Sequence, residues 1–511
     1  MQDGTLSNGG WSRRAVLGTG VAMAGATLLP ARAAIAATPS DPITAMDALS
    51  LSRAIQARQV SCVEVMSAYL DRIERINPKV NAIVALQPRE GLLGQARARD
   101  AELAQGRSAG WMHGFPLAPK DLVPVKGLPY TDGSPLFKDR IAEADSLMVE
   151  RMRKAGGIFI GKTNSPEFGL GSHTYNAVYG TTLNAYDQTK SAGGSSGGAA
   201  VAVSTRMLPI ADGSDMGGSL RNPAGWNNIV SLRPTYGRVP DGGGFVMDMS
   251  VNGPMARSVP ELAMMLSTIA GPAPGNPLAI NEDPSIFSGP LDMDVKGVRI
   301  GWLGNFGTLP MEAGVLPLCR SALKVFEDMG AIVADATVPA SLDEMWQNFT
   351  TLRAWGNASW LGRYYQDPAT RPLLKPEAQF EIEKGLRLNA SDVSTAMRGR
   401  AQWYRAFSSL FDQFDFLVAP TAQLFAFDAK EHWPTDISGT KMDAYYRWME
   451  IVTPITMTSC PVLTVPAGFN PAGQSMGIQI IGELRREIDC LRLANAYDRA
   501  TRWPERRPPP V

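Results

Sequence analysis

The sequence predicts an α/β protein, and three observations carry that prediction. A helical pattern over residues 145–155 runs into Gly156-Gly157 and then the apolar stretch 158–161, so helix, turn and strand follow at short range. The alternation recurs later, with strand-like 298–303, helical 312–329 and strand-like 331–338 in succession. No internal repeat, heptad run or low-complexity tract points instead to a solenoid or scaffold.

At 511 residues, 44% of them hydrophobic, the chain is long enough to bury a large core. Lys plus Arg and Asp plus Glu both number 49, and no basic run is visible, which argues against a nucleic-acid partner. Residues 1–37 are a different material. Ser12-Arg13-Arg14-Ala15-Val16-Leu17 places paired arginines ahead of an apolar stretch, and Ala31-Arg32-Ala33 follows. That order reads as a signal peptide of the twin-arginine route, with the translocase as transient partner and a periplasmic or secreted destination. An apolar stretch of about 15 residues falls short of the roughly 20 that span a bilayer, so no stable membrane anchor is expected. Cys62, Cys319, Cys460 and Cys490 show no C-x-x-C spacing. Buried free thiols are the expectation, with one bridge after export left open.

Taken in order, residues 47–76 read as one helix closed by Asn77-Pro78, residues 81–86 as a short strand and 89–105 as a second helix. Residues 114–135 carry Pro116, Pro119, Pro124 and Pro129, which forbid a helix and predict extended chain around Lys120. Residues 340–412 are rich in helix formers and aromatics, among them Trp346, Phe349, Trp360, Trp403 and Phe407. They read as a helical insertion whose rings face the core or form an apolar wall over a substrate site. Strand-like 416–419, 462–465 and 476–481 precede a closing amphipathic helix over 487–501.

Two clusters hold the chemistry, GGSSGG at 193–198 and DMGGS at 215–219, separated by an apolar segment suited to a buried helix or strand. Small residues on both sides of a serine let backbone amides approach an anion, a packing partner or a substrate carbonyl. A phosphate-binding loop would need Lys followed by Ser or Thr after the glycines, and that is missing. Residues 194–198 match G-x-S-x-G around Ser196, but any glycine-serine run does so, and a hydrolase triad also needs a histidine. Of the three histidines, His113, His173 and His432, only His432 lies in the required order. None has metal-ligand spacing, so no metal is expected. A serine nucleophile served by a base other than histidine remains. A lysine qualifies once burial lowers its pKa from about 10.4 toward 7 or 8, a difference worth roughly 3 to 5 kcal/mol.

The stretches 114–134, 161–165, 191–237 and 253–258, with 415–421 and 461–482, resemble the amidase signature family. The resemblance implies one large domain over 38–505, a central mixed β-sheet covered by helices on both faces, and a Ser-cisSer-Lys triad. On that pattern Ser219 is the nucleophile, Ser195 the bridging serine after a cis peptide, and Lys120 of APKD the base. The amides of Met216, Gly217, Gly218 and Ser219 would form the oxyanion hole, and Asp215 with Arg221 would fix the loop. Ser196 is a candidate for hydrogen bonding within the site, and His173 for facing substrate. The family commonly has asparagine before its Gly-Pro; here the chain reads Met457-Thr458-Ser459-Cys460-Pro461, which bears on substrate packing.

The implied activity is hydrolysis of a carboxylic amide in a small molecule through an acyl-enzyme, without a cofactor. An esterase or carbamate hydrolase uses the same chemistry. An amidotransferase component, working in the cytoplasm with partner chains, fits the leader poorly, and a non-catalytic binding protein fits the intact triad poorly. A homodimer is compatible with the sequence.

Overall fold

The computed structural model describes residues 42–241, 244–245 and 249–511, so the signal peptide expected at 1–37 lies outside the described residues. Eight strands form the central sheet: β1 (Ala211–Asp215), β2 (Val230–Arg233), β3 (Val251–Ala256), β4 (Arg299–Trp302), β5 (Ile332–Asp335), β6 (Phe416–Pro420), β7 (Val462–Phe469) and β8 (Ser475–Ile481). Their spatial order is β5-β4-β6-β8-β7-β2-β3-β1. The β4 strand pairs in parallel with β5 and β6, and every other ladder is antiparallel. The sheet is therefore mixed. In β6 and β8 every residue is buried, and in β7 all but the last. Because successive side chains point to opposite faces, unbroken burial requires cover on both.

Helices supply that cover. Ahead of the sheet lie α1 (Ala48–Gln56), α2 (Cys62–Val80), α3 (Arg89–Ala104) and α4 (Leu147–Lys154). Within and after it come α5 (Gly197–Ser204), α6 (Arg221–Trp226), α7 (Val259–Ile269) and α8 (Val315–Asp328). The insertion is α9 (Leu342–Gln366), α10 (Pro376–Leu386) and α11 (Ala390–Ser408); α12 (Thr453–Thr458) and α13 (Glu487–Thr501) follow, and single helical turns stand at Pro42–Ala45 and Trp503–Arg506. α6 packs on β7 and β8, as does α8, while α13 packs on β7. Residues 40–511 form one unit, and no helix among the described residues is long and apolar enough to cross a membrane.

Three expectations need correction. Residues 47–76 are two helices, because Ser61 starts a new one: its hydroxyl accepts from Glu64 N, and Glu64 Oε2 accepts from Ser61 N at 2.7 Å. This capping box competes with continuation of α1. Asn77-Pro78 does not end α2, which runs on to Val80 and stops at left-handed Asn81. The side chain of Asn77 accepts from Ala82 N and Ile83 N, satisfying donors beyond the helix end. The strand read at 81–86 is reduced to Ile83–Val84, antiparallel to Lys162–Thr163.

The proline-rich segment is extended, as its composition requires. Pro116–Leu117 pairs in parallel with Ile158–Phe159, and Lys120 then bridges to Thr163. This path runs past β1, the last strand of the sheet, whose outer side has no strand partner among the described residues. The Lys120 N–H donates to Asp212 of β1 at 3.2 Å.

Candidate active site

Strand β1 ends at Asp215, and the chain turns through Met216, Gly217 and Gly218 to Ser219 before α6 begins. Gly218 has φ +101°, and a Cβ there would sit 2.2 Å from Asn222 Oδ1. No other residue fits that turn without rebuilding it. Two arginines hold the loop from beneath. Arg221 donates to both carboxylate oxygens of Asp215, at 2.8 and 3.0 Å, and Arg233 Nε lies 3.4 Å from the same carboxylate. All three side chains are fully buried. Burial alone would raise the Asp215 carboxyl, but the Arg221 and Arg233 guanidiniums hold it well below the usual range. Arg221 also donates to Val452 O, Gln479 Oε1 and Thr456 Oγ1, joining the loop to α12 and β8.

The other cluster meets this loop directly. The Ser196 N–H donates to Ser219 O at 3.2 Å, and a Cβ on Gly213 would lie 2.7 Å from Ser196 Oγ. The Gly194–Ser195 peptide is cis. The apolar segment between the clusters is helix α5, buried along its whole length.

Lys120 closes the constellation. Its Nζ lies 2.7 Å from Ser195 Oγ, 2.9 Å from Ser196 Oγ and 3.0 Å from Ser214 Oγ. The side chain is fully buried, and burial pushes the ammonium down to about 7 against the opposing charges of Asp212 and Asp215. Ser195 and Ser219 line one cavity of about 170 Å³ with Ser214, Met216 and Gly217. A larger hollow of about 770 Å³ shares Leu122, Ser214 and Ser250 with it but includes neither Ser195 nor Ser219, so both serines belong to the smaller space.

The oxyanion amides require one adjustment. Gly218 N–H donates to Asp215 Oδ1 at 2.9 Å, because Asp215 folds back under the turn. Among the described residues, the amides of Met216, Gly217 and Ser219 have no protein acceptor.

The histidines stand apart from these serines. His173 is buried between Ser191 Oγ, 2.8 Å from Nδ1, and the carbonyl of Ala429, 3.1 Å from Nε2; burial pushes it down to about 4. His113 bridges Ala109 N and Arg99 O, and His432 stacks on Tyr175. Ser196 therefore faces a lysine and no histidine, which closes the G-x-S-x-G reading.

The aromatics of the insertion divide between both of their expected roles. Trp346, Phe349, Trp403 and Phe407 are buried, whereas Trp360 is 44% exposed and lines the cavity of Ser195 and Ser219. Sequence reasoning missed Ser214, whose one signal is its place beside Asp215 in the matching block. It also missed Arg353 and Asn357, one helical turn apart on α9 and both lining the cavity; nothing local in the sequence marks them.

Comparison with known proteins is consistent over nearly the whole chain. The amidase family profile matches residues 64–491. An acylamidase of Rhodococcus erythropolis is 33% identical over 91% of this chain and 97% of its own. A component chain of the glutamyl-tRNA(Gln) amidotransferase of Chloroflexus aurantiacus is 34% identical over 89% of this chain and 96% of its own. The crystal structure of a bacterial aryl acylamidase of the amidase signature family superposes with a TM-score of 0.85 at 26% identity, covering 91% of this chain and 98% of the other.

Proposed function

We propose, on the premise that this chain belongs to the amidase family and hydrolyses a carboxylic amide C–N bond, that Ser219 is its nucleophile, Ser195 its proton bridge and Lys120 its base. One observation carries the assignment: a fully buried lysine lies 2.7 Å from Ser195 Oγ, and Ser195 shares its cavity with Ser219. Neutral Lys120 takes the proton of Ser195 as Ser195 takes that of Ser219, whose oxygen attacks the amide carbonyl. The charge developing on the carbonyl oxygen meets the amides of Met216, Gly217 and Ser219; losing one such donor costs about 3 to 4 kcal/mol. The relay then runs backwards and delivers the proton to the departing nitrogen, since an unprotonated amine leaves poorly. Water enters along the same path, breaks the acyl-enzyme and frees the acid.

An ester or carbamate presents the same carbonyl and enters the same cycle. The paired Arg13 and Arg14 ahead of an apolar stretch support a free-standing enzyme, carried by the twin-arginine translocase to the periplasm or beyond. Ser219→Ala tests the assignment: turnover of a primary amide or anilide falls at least about a thousandfold, and a normal rate in that variant overturns it.

A further inference from the structure

Arg353 and Asn357 occupy successive turns of one face of α9 and line the catalytic cavity beside Met216 and Gly217. Arg353 is 4% exposed and Asn357 5%. Part of the arginine is committed to the fold, since Nε binds Glu381 Oε1 at 2.5 Å and Nη2 donates to Tyr445 Oη at 2.7 Å, tying α9 to α10. Two donors on this wall are left over. Among the described residues, Nη1 has only the thioether of Met216, 3.4 Å away, and a thioether sulfur is a weak acceptor. Asn357 Nδ2 is buried and, among the described residues, has no partner. Donors withdrawn from water without an acceptor cost stability, and two of them on residues that line one cavity call for an oxygen from outside the protein.

We propose that Arg353 Nη1 and Asn357 Nδ2 form a specificity subsite for a second, neutral carbonyl oxygen of the substrate, a few bonds from the scissile amide. The proposal rests on the amide-hydrolase reading and narrows its substrate class to diamides and acylamino amides. A neutral carbonyl suits the site better than a carboxylate. Glu381 already offsets the Arg353 charge, so an anion would enter a buried space without an unbalanced cation to meet it. Two donors on a rigid helix suit the two lone pairs of one carbonyl, or a carbonyl alternating between them.

The test uses purified full-length enzyme and linear diamides with one to four methylenes between the carbonyls. Each is compared with the monoamide whose far carboxamide is replaced by isopropyl, and with the one in which it is replaced by carboxylate. For at least one length, wild-type kcat/KM per scissile group for the diamide exceeds that for the isopropyl analogue about tenfold or more. Asn357→Leu brings this ratio to within about threefold of unity, and Arg353→Lys, which keeps the charge but loses the fork, lowers it as well. The ratio compares two substrates of one protein sample, so partial misfolding of a variant cancels. A wild-type ratio near one at every length, an undiminished ratio in Asn357→Leu, or preference for the carboxylate overturns the subsite while leaving the amidase reading intact. Failure of the wild type to hydrolyse any of the compounds overturns both.

Discussion

Lys120 can serve as a base only because of where it sits. A solvated lysine would be charged at neutral pH; burial brings this one to about 7, and the carboxylates of Asp212 and Asp215 limit the shift. The protonated form has no lone pair to offer Ser195, so kcat/KM rises as pH rises through about 7 and levels off above it. Below the inflection it falls about tenfold per pH unit. Burial also holds the Glu167 carboxyl up near 7, in hydrogen-bond contact with Ser134. The two sources of an inflection separate in Lys120→Met, which loses about a hundredfold to ten-thousandfold in activity. Its residual rate has no inflection if Lys120 is the base, and keeps one if Glu167 controls the profile. The neighbouring serines separate in the same way. Ser195 and Ser196 both touch Lys120, but only Ser195 lines the cavity with Ser219. Ser195→Ala therefore loses at least about a hundredfold in kcat and Ser196→Ala markedly less; equal losses would remove the distinction between a proton bridge and a supporting hydroxyl.

At the scale of elements, the turn that carries Ser219 joins an edge strand to a short helix over a buried ion pair. Arg221→Met leaves the Asp215 carboxylate facing Arg233 alone, so it destabilises the protein by about 3 to 5 kcal/mol in urea unfolding. A change under 1 kcal/mol would show that the pair only orients the loop. The α9–α10 crossing has a comparable pivot at Gly385, where a Cβ would lie 2.2 Å from Ala354 O. Gly385→Val therefore parts the helices and costs about 1 to 3 kcal/mol. These elements differ in how far the sequence discloses them. The turn is legible because its backbone needs glycines and its chemistry needs a serine, so the constraint is written locally. Strands β6, β7 and β8 are legible as apolar runs bounded by turn residues. The break between α1 and α2 turns on one serine outcompeting a continuous apolar stripe, and periodicity does not register such a contest. Arg353 and Asn357 meet Ser195 and Ser219 only in the cavity that the folded chain assembles from distant segments, and a four-residue spacing on a polar-aromatic helix says nothing of that.

Over the whole molecule, the placement of the thiols bears on how the chain would reach its compartment. Cys62, Cys319, Cys460 and Cys490 are all unpaired and buried. Burial raises every one of their pKa values, Cys62 and Cys460 to about 12, which keeps them as unreactive thiols. The fold thus needs no oxidising environment and completes its core equally well where disulfides do not form. A leader that carries folded cargo is consistent with such a core. Folded enzyme accordingly shows no reaction with an aromatic disulfide reagent, and the denatured chain shows four thiols whether it was recovered from the cytoplasm or the periplasm. The two halves of the export proposal can then be tested in one strain. Replacing Arg13 and Arg14 by lysine traps the chain inside the cell, and because folding does not depend on oxidation, the trapped protein is active in the cytoplasmic fraction. Activity that still appears in the periplasm would refute the twin-arginine route. An inactive cytoplasmic protein would instead mean that the core depends on its destination, contrary to the burial of its four thiols.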